Sequence, residues 1–125
     1  MTDKELLELA AKAAGIYVRG QVDLMIVQPD HRKGGFIIRN DRGGDSCWNP
    51  LTDDGDALRL AVKLNIDLNH SWVVVNGDDN YPMASIHASN VETNCYELKE
   101  SDPFAATRRA IVTLAAELAK SEALV

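Results

Sequence analysis

The sequence predicts an α+β fold, a layered αβα sandwich in which three helices cover an antiparallel or mixed sheet. Apolar residues at helical spacing occur at the start, the middle and the end of the chain. β-rich runs separate them, which gives the order α-βββ-α-ββ(β)-α. Of the 125 residues, 46% are hydrophobic and 26% charged, ordinary values for a single globular core. No repeat or low-complexity tract divides the chain, so residues 1–125 are expected to form one domain.

The first helix is predicted from its two ends. Thr2 and Glu5 have the spacing of a capping box, in which each side chain accepts a hydrogen bond from a free backbone N–H group. Gly15 is a favourable residue to end the helix, because glycine adopts the left-handed conformation easily. The expected buried stripe is Leu6, Leu9, Ala10 and Ala13.

A first group of β-rich runs follows, at residues 16–19, 22–28 and 36–39. The turn-forming residues 29–35 predict that the second and third runs pair as a hairpin. Residues 40–46 (NDRGGDS) have the composition of a loop. With Arg39 and Arg42, this loop has the ingredients of an anion-binding nest, although a solvated loop is the more common outcome.

The middle helix is predicted over residues 53–64, after Trp48-Asn49-Pro50. Asp53, Asp54 and Asp56 crowd its start, where the helix dipole favours negative charge. Leu58, Ala61, Val62 and Leu64 are expected to form its buried side, and Asn65 to end it.

A second β-rich region is predicted between the middle and last helices. Residues 66–75 form a strand, residues 76–80 (NGDDN) a turn that joins antiparallel strands, and residues 81–88 the next strand. A short further strand is possible at residues 95–98.

The last helix begins with Asp102 as N-cap and Pro103 at the first helical position. Its expected core stripe is Phe104, Ile111, Ala115 and Leu118. Arg108 lies about 60° around the helix from Ile111, at the edge of the buried face, and Arg109 points nearly opposite. Adjacent arginines in a helix otherwise rich in Ala, Ile, Val and Leu are a candidate phosphate or carboxylate site. The alternative is a surface pair that neutralises nearby acids.

Charge and composition exclude several classes of protein. The formal net charge is −6. Residues 48–125 supply all of it, and phosphate neutralisation needs clustered Lys and Arg, so direct binding of duplex nucleic acid is not expected. No apolar run is long enough for a membrane span, and MTDKELLELAAKAAG lacks the basic start of a signal peptide. Cys47 and Cys95 form no CxxC pair. These features predict a cytoplasmic protein.

Motifs for catalysis are not apparent in the sequence. His31, His70 and His87 occur singly, which predicts no metal site, and no cofactor or nucleophile motif is present. We therefore expect a protein that is not an enzyme and has no cofactor. Trp48, Tyr81 and Phe104 are candidate stacking faces at a pocket rim, with core packing as the more common role.

Two of these elements carry a resemblance. Trp48-Asn49-Pro50 opens the middle helix, and the last helix has Asp102-Pro103 followed by Arg108-Arg109-Ala110. In these features the chain resembles small bacteriophage and prophage proteins with the phage ABA-sandwich domain. The order of elements extends the resemblance over nearly the whole chain.

A characterised group of similar size and layout is the phage anti-Thoeris sponges. That resemblance implies a non-enzymatic homo-oligomer, a homodimer or larger, that sequesters a cyclic nucleotide or cyclic ADP-ribose-type immune signal between its subunits. Arg109 would fill the Arg-Ala position with Arg108 beside it, while Thr113 stands where a second basic residue would strengthen a phosphate clamp. The Ala-rich last helix would permit close approach between subunits.

The sequence thus favours an anti-defence protein that binds a small anionic nucleotide in the host bacterial cytoplasm. Arg108, Arg109 and Thr113 would lie near phosphate, and Trp48, Tyr81 or Phe104 near a base. The main alternative is an acidic phage protein that binds a host or defence protein through the acids of residues 48–125. A small nucleotide-cleaving enzyme and a phage structural protein are further alternatives.

Overall fold

The computed structural model describes residues 1–21, 35–39, 42–75, 79–88, 91–98 and 102–123. These residues form an α+β fold with three helices and two antiparallel three-stranded sheets. The helices are α1 (Asp3–Ala13), α2 (Asp54–Lys63) and α3 (Pro103–Ala123). Among the described residues, no helix has the length and apolar character needed to cross a membrane.

The first sheet contains β1 (Val18–Gln21), β2 (Phe36–Arg39) and β3 (Asp45–Trp48), in that order. β2 has the bounds that the sequence predicts. The sequence does not predict β3, since Asp45 and Ser46 belong to the predicted loop 40–46. In the structure Ser46 pairs with Ile38 in the antiparallel register. The predicted run 22–28 and most of the predicted turn 29–35 lie outside the described residues.

The second sheet contains β4 (Ile66–Val75), β5 (Asp79–Ala88) and β6 (Val91–Leu98), also in chain order. The predicted bounds of β4 are confirmed. β5 begins two residues earlier than predicted because Asp79 pairs with Val75. β6 is longer than the predicted short strand and includes it. Residues 76–78 of the predicted turn lie outside the described residues.

Both ends of helix α1 are formed by the residues that the sequence predicts. Thr2 and Glu5 form the capping box. Gly15 has φ of 68°, and the N–H of Ile16 donates to the carbonyl of Ala11 at 2.9 Å, which completes a Schellman motif. Because Ile16 belongs to this cap, β1 starts two residues later than predicted. The buried face is rotated from the expected stripe and consists of Leu6, Leu7, Ala10, Ala11 and Ala14.

Helix α2 begins and ends where the sequence predicts, but its buried side is different. The Asp53 carboxylate caps the helix by accepting from the N–H of Asp56, and Asn65 follows the helix with φ of 54°. The prediction that Leu58 and Val62 are buried is wrong, since they are 59% and 68% exposed. The buried residues are Asp56, Ala57, Leu60 and Ala61. The buried carboxylate of Asp56 rotates the inner face, because it bonds to the segment that precedes the helix.

Helix α3 lies along α1 and contacts α2, β5 and β6. The Asp102 carboxylate accepts from the N–H of Ala105 at 3.0 Å, which confirms the predicted cap. Ile111 and Ala115 are buried as expected, whereas Phe104 is 67% exposed and does not belong to the core. The alanines of α3 that reach the core are Ala110, Ala115, Ala116 and Ala119. These four alanines are buried within the chain itself.

Candidate functional site

The two arginines predicted as a phosphate site contact different helices. The Arg108 Nε donates to the carbonyl oxygen of Leu51 at 2.8 Å, and its Nη1 donates to Asp54 Oδ1 at 2.6 Å. The Arg109 Nη1 instead donates to Asp3 Oδ1 at 3.0 Å. Arg108 therefore joins α3 to the start of α2, and Arg109 joins α3 to the start of α1. The structure does not bring the two guanidinium groups together on one ligand.

These contacts predict unequal effects on stability. The Arg108 side chain is 16% exposed and the Arg109 side chain 43%. We expect Arg108→Ala to lower the free energy of unfolding by about 1–2 kcal/mol. The substitution removes a hydrogen bond to a backbone carbonyl and exposes to solvent the surface that the Arg108 side chain covers. Arg109→Ala removes only an exposed ion pair and should cost under about 1 kcal/mol. Chemical denaturation of both variants measures the two losses in the free energy of unfolding. Equal losses would contradict the prediction.

The remaining predicted site residues are dispersed. Trp48 is buried at 4% exposure and Phe104 lies exposed at the start of α3. Thr113 is half-buried within α3. Tyr81 lies in β5 opposite Val73, and its side chain is outside the described part of the structure. These residues do not form a common pocket in the part of the chain that is described.

A recess lies elsewhere, between the first sheet and α2, and has a volume of about 700 Å³. We call it the α2 recess. The residues of its wall that carry charge or an aromatic ring are Tyr17, Arg39, Trp48, Asp56, Arg59 and Lys63. Trp48 is buried, whereas Tyr17 is 66% exposed, so Tyr17 is the more accessible of these two aromatic residues.

The α2 wall of this recess carries Arg59 and Lys63, which are four residues apart and so share a helix face. Asp56 orients Arg59: the Arg59 Nη2 donates to Asp56 Oδ1 at 2.7 Å. Gly55 leaves room for this arrangement, since a Cβ there would lie 3.2 Å from the Arg59 Nη atoms. A guanidinium has five N–H donors, so Arg59 keeps donors for a ligand.

The buried Asp56 also fixes this wall to the sheet. Its Oδ2 accepts from the backbone N–H of Asn49 at 2.9 Å, directly after β3. The Asn49 side chain in turn accepts from the N–H of Leu51 at 3.0 Å. The Trp48-Asn49-Pro50 element is therefore a structural junction that sets the position of α2, and with it Arg59, relative to β3.

The opposite wall is formed by Tyr17 and Arg39, which are adjacent across the first sheet. The N–H of Arg39 donates to the carbonyl of Tyr17 at 3.2 Å. Of the residues that the structure describes, three cations and one carboxylate thus line the recess, and the carboxylate is bonded to Arg59 and Asn49. Within the described residues, no ion pair involves Arg39 or Lys63. The arrangement can bind an anion between two walls and offer a ring for stacking.

The sequence predictions missed Tyr17, Arg59 and Lys63 as site residues. One signal was available, because the spacing of Arg59 and Lys63 places both on one face of a helix that was correctly predicted. The sequence singles out Arg39 only together with Arg42, in the loop after β2, and no signal points to Tyr17. The position of both residues against α2 depends on β3, which the sequence does not predict. Comparison with protein families, curated proteins and solved structures finds no match to this chain.

Proposed function

We propose that this protein binds a small anionic nucleotide in the α2 recess and holds it without chemical change. The observation that carries the proposal is the concentration of Arg39, Arg59 and Lys63 around one recess in a chain whose net charge is −6. Planar guanidinium groups suit phosphate oxygens, and Tyr17 offers a face for a base. The volume of about 700 Å³ is large enough for a nucleotide-sized ligand.

The resemblance described above supplies the biological role in this proposal. The ligand would be a cyclic nucleotide or cyclic ADP-ribose-type immune signal, and its sequestration would make this a phage anti-defence protein. The proposal includes the layered αβα arrangement of the two sheets and the self-association of that group. It moves the ligand from Arg108 and Arg109 to the α2 recess, because those arginines bind other parts of the chain.

Ligand capture tests the proposal directly. Purified protein is incubated with cyclic nucleotides and cyclic ADP-ribose isomers, separated from free ligand, denatured, and the released compound is identified by mass spectrometry. We expect one compound to be recovered intact in near-stoichiometric amount. An altered compound would show catalysis and overturn the non-enzymatic proposal. If no compound in the panel is retained, nucleotide sequestration is wrong.

Variants of the α2 wall locate the site. We expect Arg59→Ala and Lys63→Ala each to weaken binding of the captured compound about tenfold or more, because each removes a charge-assisted contact worth about 1.5–3 kcal/mol. Lys120→Ala is the matched control, since it removes an exposed cation of α3 that pairs with Glu117 at 3.3 Å. Isothermal titration calorimetry measures the affinities. Full affinity in both α2 variants would exclude the α2 recess.

A second candidate function, direct contact with another protein, is favoured by one observation. Leu58 and Val62 are four residues apart on α2 and are 59% and 68% exposed. Large apolar side chains on one exposed helix face are typical of contact surfaces. Sedimentation of wild type and Leu58→Lys then distinguishes self-association from a monomer. A captured nucleotide with unchanged affinity in Leu58→Lys would separate this surface from the ligand site.

A further inference from the structure

A second recess, which we call the α1 recess, adjoins the first. It has a volume of about 550 Å³ and lies between α1 and β1. Lys4, Glu8 and Lys12 follow one another at intervals of four along its helical wall, and Arg19 lies on its β1 wall. Lys4, Lys12 and Glu8 are all exposed. This recess is therefore also lined by more cations than carboxylates.

The Arg19 side chain takes part in a local ion pair. Its Nη1 donates to Asp45 Oδ1 at 2.8 Å, and both side chains are about half exposed. The hydrogen bond and then the charge of Asp45 raise the pKa of Arg19 above its ordinary value. The net positive charge of the α1 recess therefore comes from Lys4 and Lys12.

The two recesses share Ile16 and Tyr17 in their walls, and Tyr17 is exposed. Among the residues that the structure describes, six Lys and Arg line the two recesses, together with two acids, Asp56 and Glu8. The cations thus form a track from Lys63 through Arg39 to Lys12 and Lys4, with an aromatic ring at its middle.

We infer that the two recesses form one continuous binding track for a short single-stranded oligonucleotide. The inference rests on the proposed function and extends it, because it names a ligand longer than one nucleotide. A single strand places its phosphates along a line of cations and can stack a base on Tyr17. A duplex presents its phosphates on both sides and keeps its bases stacked inside, so it cannot use the Tyr17 ring.

Fluorescence anisotropy with labelled oligothymidylates of about four to eight nucleotides tests the track. The same measurement uses a labelled thymidine monophosphate and a duplex of equal length. Three variants of the full chain are compared with wild type: Lys4→Ala/Lys12→Ala for the α1 recess, Arg59→Ala/Lys63→Ala for the α2 recess, and Lys120→Ala as the control outside both. Circular dichroism melting confirms that each variant is folded.

We expect the oligonucleotide to bind more tightly than the mononucleotide and the duplex. Lys4→Ala/Lys12→Ala should weaken the oligonucleotide alone and reduce the slope of log K against log salt by about 1.4, since each phosphate contact to a single strand contributes about 0.7. Arg59→Ala/Lys63→Ala should weaken both ligands. Tyr17→Ala should weaken the oligonucleotide about tenfold through loss of stacking.

The outcomes separate this inference from the proposed function. Oligonucleotide affinity equal to that of the mononucleotide, or unchanged in Lys4→Ala/Lys12→Ala, overturns the track and leaves the α2 recess as a mononucleotide site. Oligonucleotide binding without any nucleotide captured from the panel supports the track and overturns the small-ligand proposal. Tighter binding to the duplex overturns the single-strand assignment.

Discussion

Asp56→Ala is expected to lower the free energy of unfolding by about 3 kcal/mol, which corresponds to a fall in Tm of about 10 °C. Asp56 is 3% exposed, and its carboxylate accepts from the Asn49 N–H at 2.9 Å and from Arg59 at 2.7 Å. Alanine leaves the buried N–H of Asn49 without this acceptor. The bond to Arg59 contributes less, because the Arg59 side chain is 69% exposed and screened by solvent.

Two further variants make this expectation specific. Asp56→Asn keeps an oxygen for the Asn49 N–H but loses the charge, so we expect it to lose less stability than Asp56→Ala. Asp67→Ala removes an exposed carboxylate of β4 and should change stability by less than about 0.5 kcal/mol. Urea denaturation measures the free energy of unfolding of Asp56→Ala, Asp56→Asn and Asp67→Ala. Asp56→Ala as stable as wild type would show that the carboxylate does not hold the junction between β3 and α2.

The same substitution links stability to the proposed site. Without Asp56, the Arg59 guanidinium loses the acceptor that orients it toward the α2 recess. We therefore expect the stability loss to be accompanied by weaker ligand binding at temperatures where Asp56→Ala is still folded. Asp56 acts here as a positioning residue. If it held only the fold, the folded variant would bind as tightly as wild type.

The sequence predicts the ends of the helices well because the signals there are local. The Thr2 and Glu5 capping box, Gly15, Asp53 and the Asp102-Pro103 pair each satisfy backbone groups within a few residues of themselves. Such interactions do not depend on residues that are distant in the sequence.

The buried faces are predicted less well because they depend on partners distant in the chain. Hydrophobicity alone favoured Leu58 and Val62 as core, but the buried bonds of Asp56 turn the opposite side of α2 inward. In α1, Leu7 and Ala11 are buried, whereas Leu9, which hydrophobicity equally favours, packs only partly buried against the core.

The candidate site was the least predictable feature. The sequence favours Arg108 and Arg109 because they interrupt an apolar helix, whereas the structure shows each bonded to a different helix start. Arg39 and Arg59 face one recess although twenty residues separate them in the sequence. The pairing of β2 with β3 and the junction after Trp48 bring them together. The sequence shows the junction as Trp48-Asn49-Pro50, but it does not show the strand pairing.

Leu114→Ala is expected to lower the free energy of unfolding by about 3 kcal/mol, within the range of about 2–5 kcal/mol seen when buried leucines are truncated. Leu114 is fully buried in α3 and belongs to the same apolar core as Leu7 of α1 and Leu60 of α2. Truncation leaves a cavity among three helices that pack through small residues. The alanines beside it have no side chain that can move to fill that cavity.

Phe104→Ala is the matched variant on the same helix. The sequence places Phe104 in the core stripe, and a buried phenylalanine would cost about 3–5 kcal/mol on truncation. The structure leaves it 67% exposed, so we expect a loss of less than about 0.5 kcal/mol. Thermal and urea denaturation of the two variants therefore decide whether the first turn of α3 belongs to the core. A large loss for Phe104→Ala with a small one for Leu114→Ala would contradict the exposure of Phe104 and the burial of Leu114 in the structure.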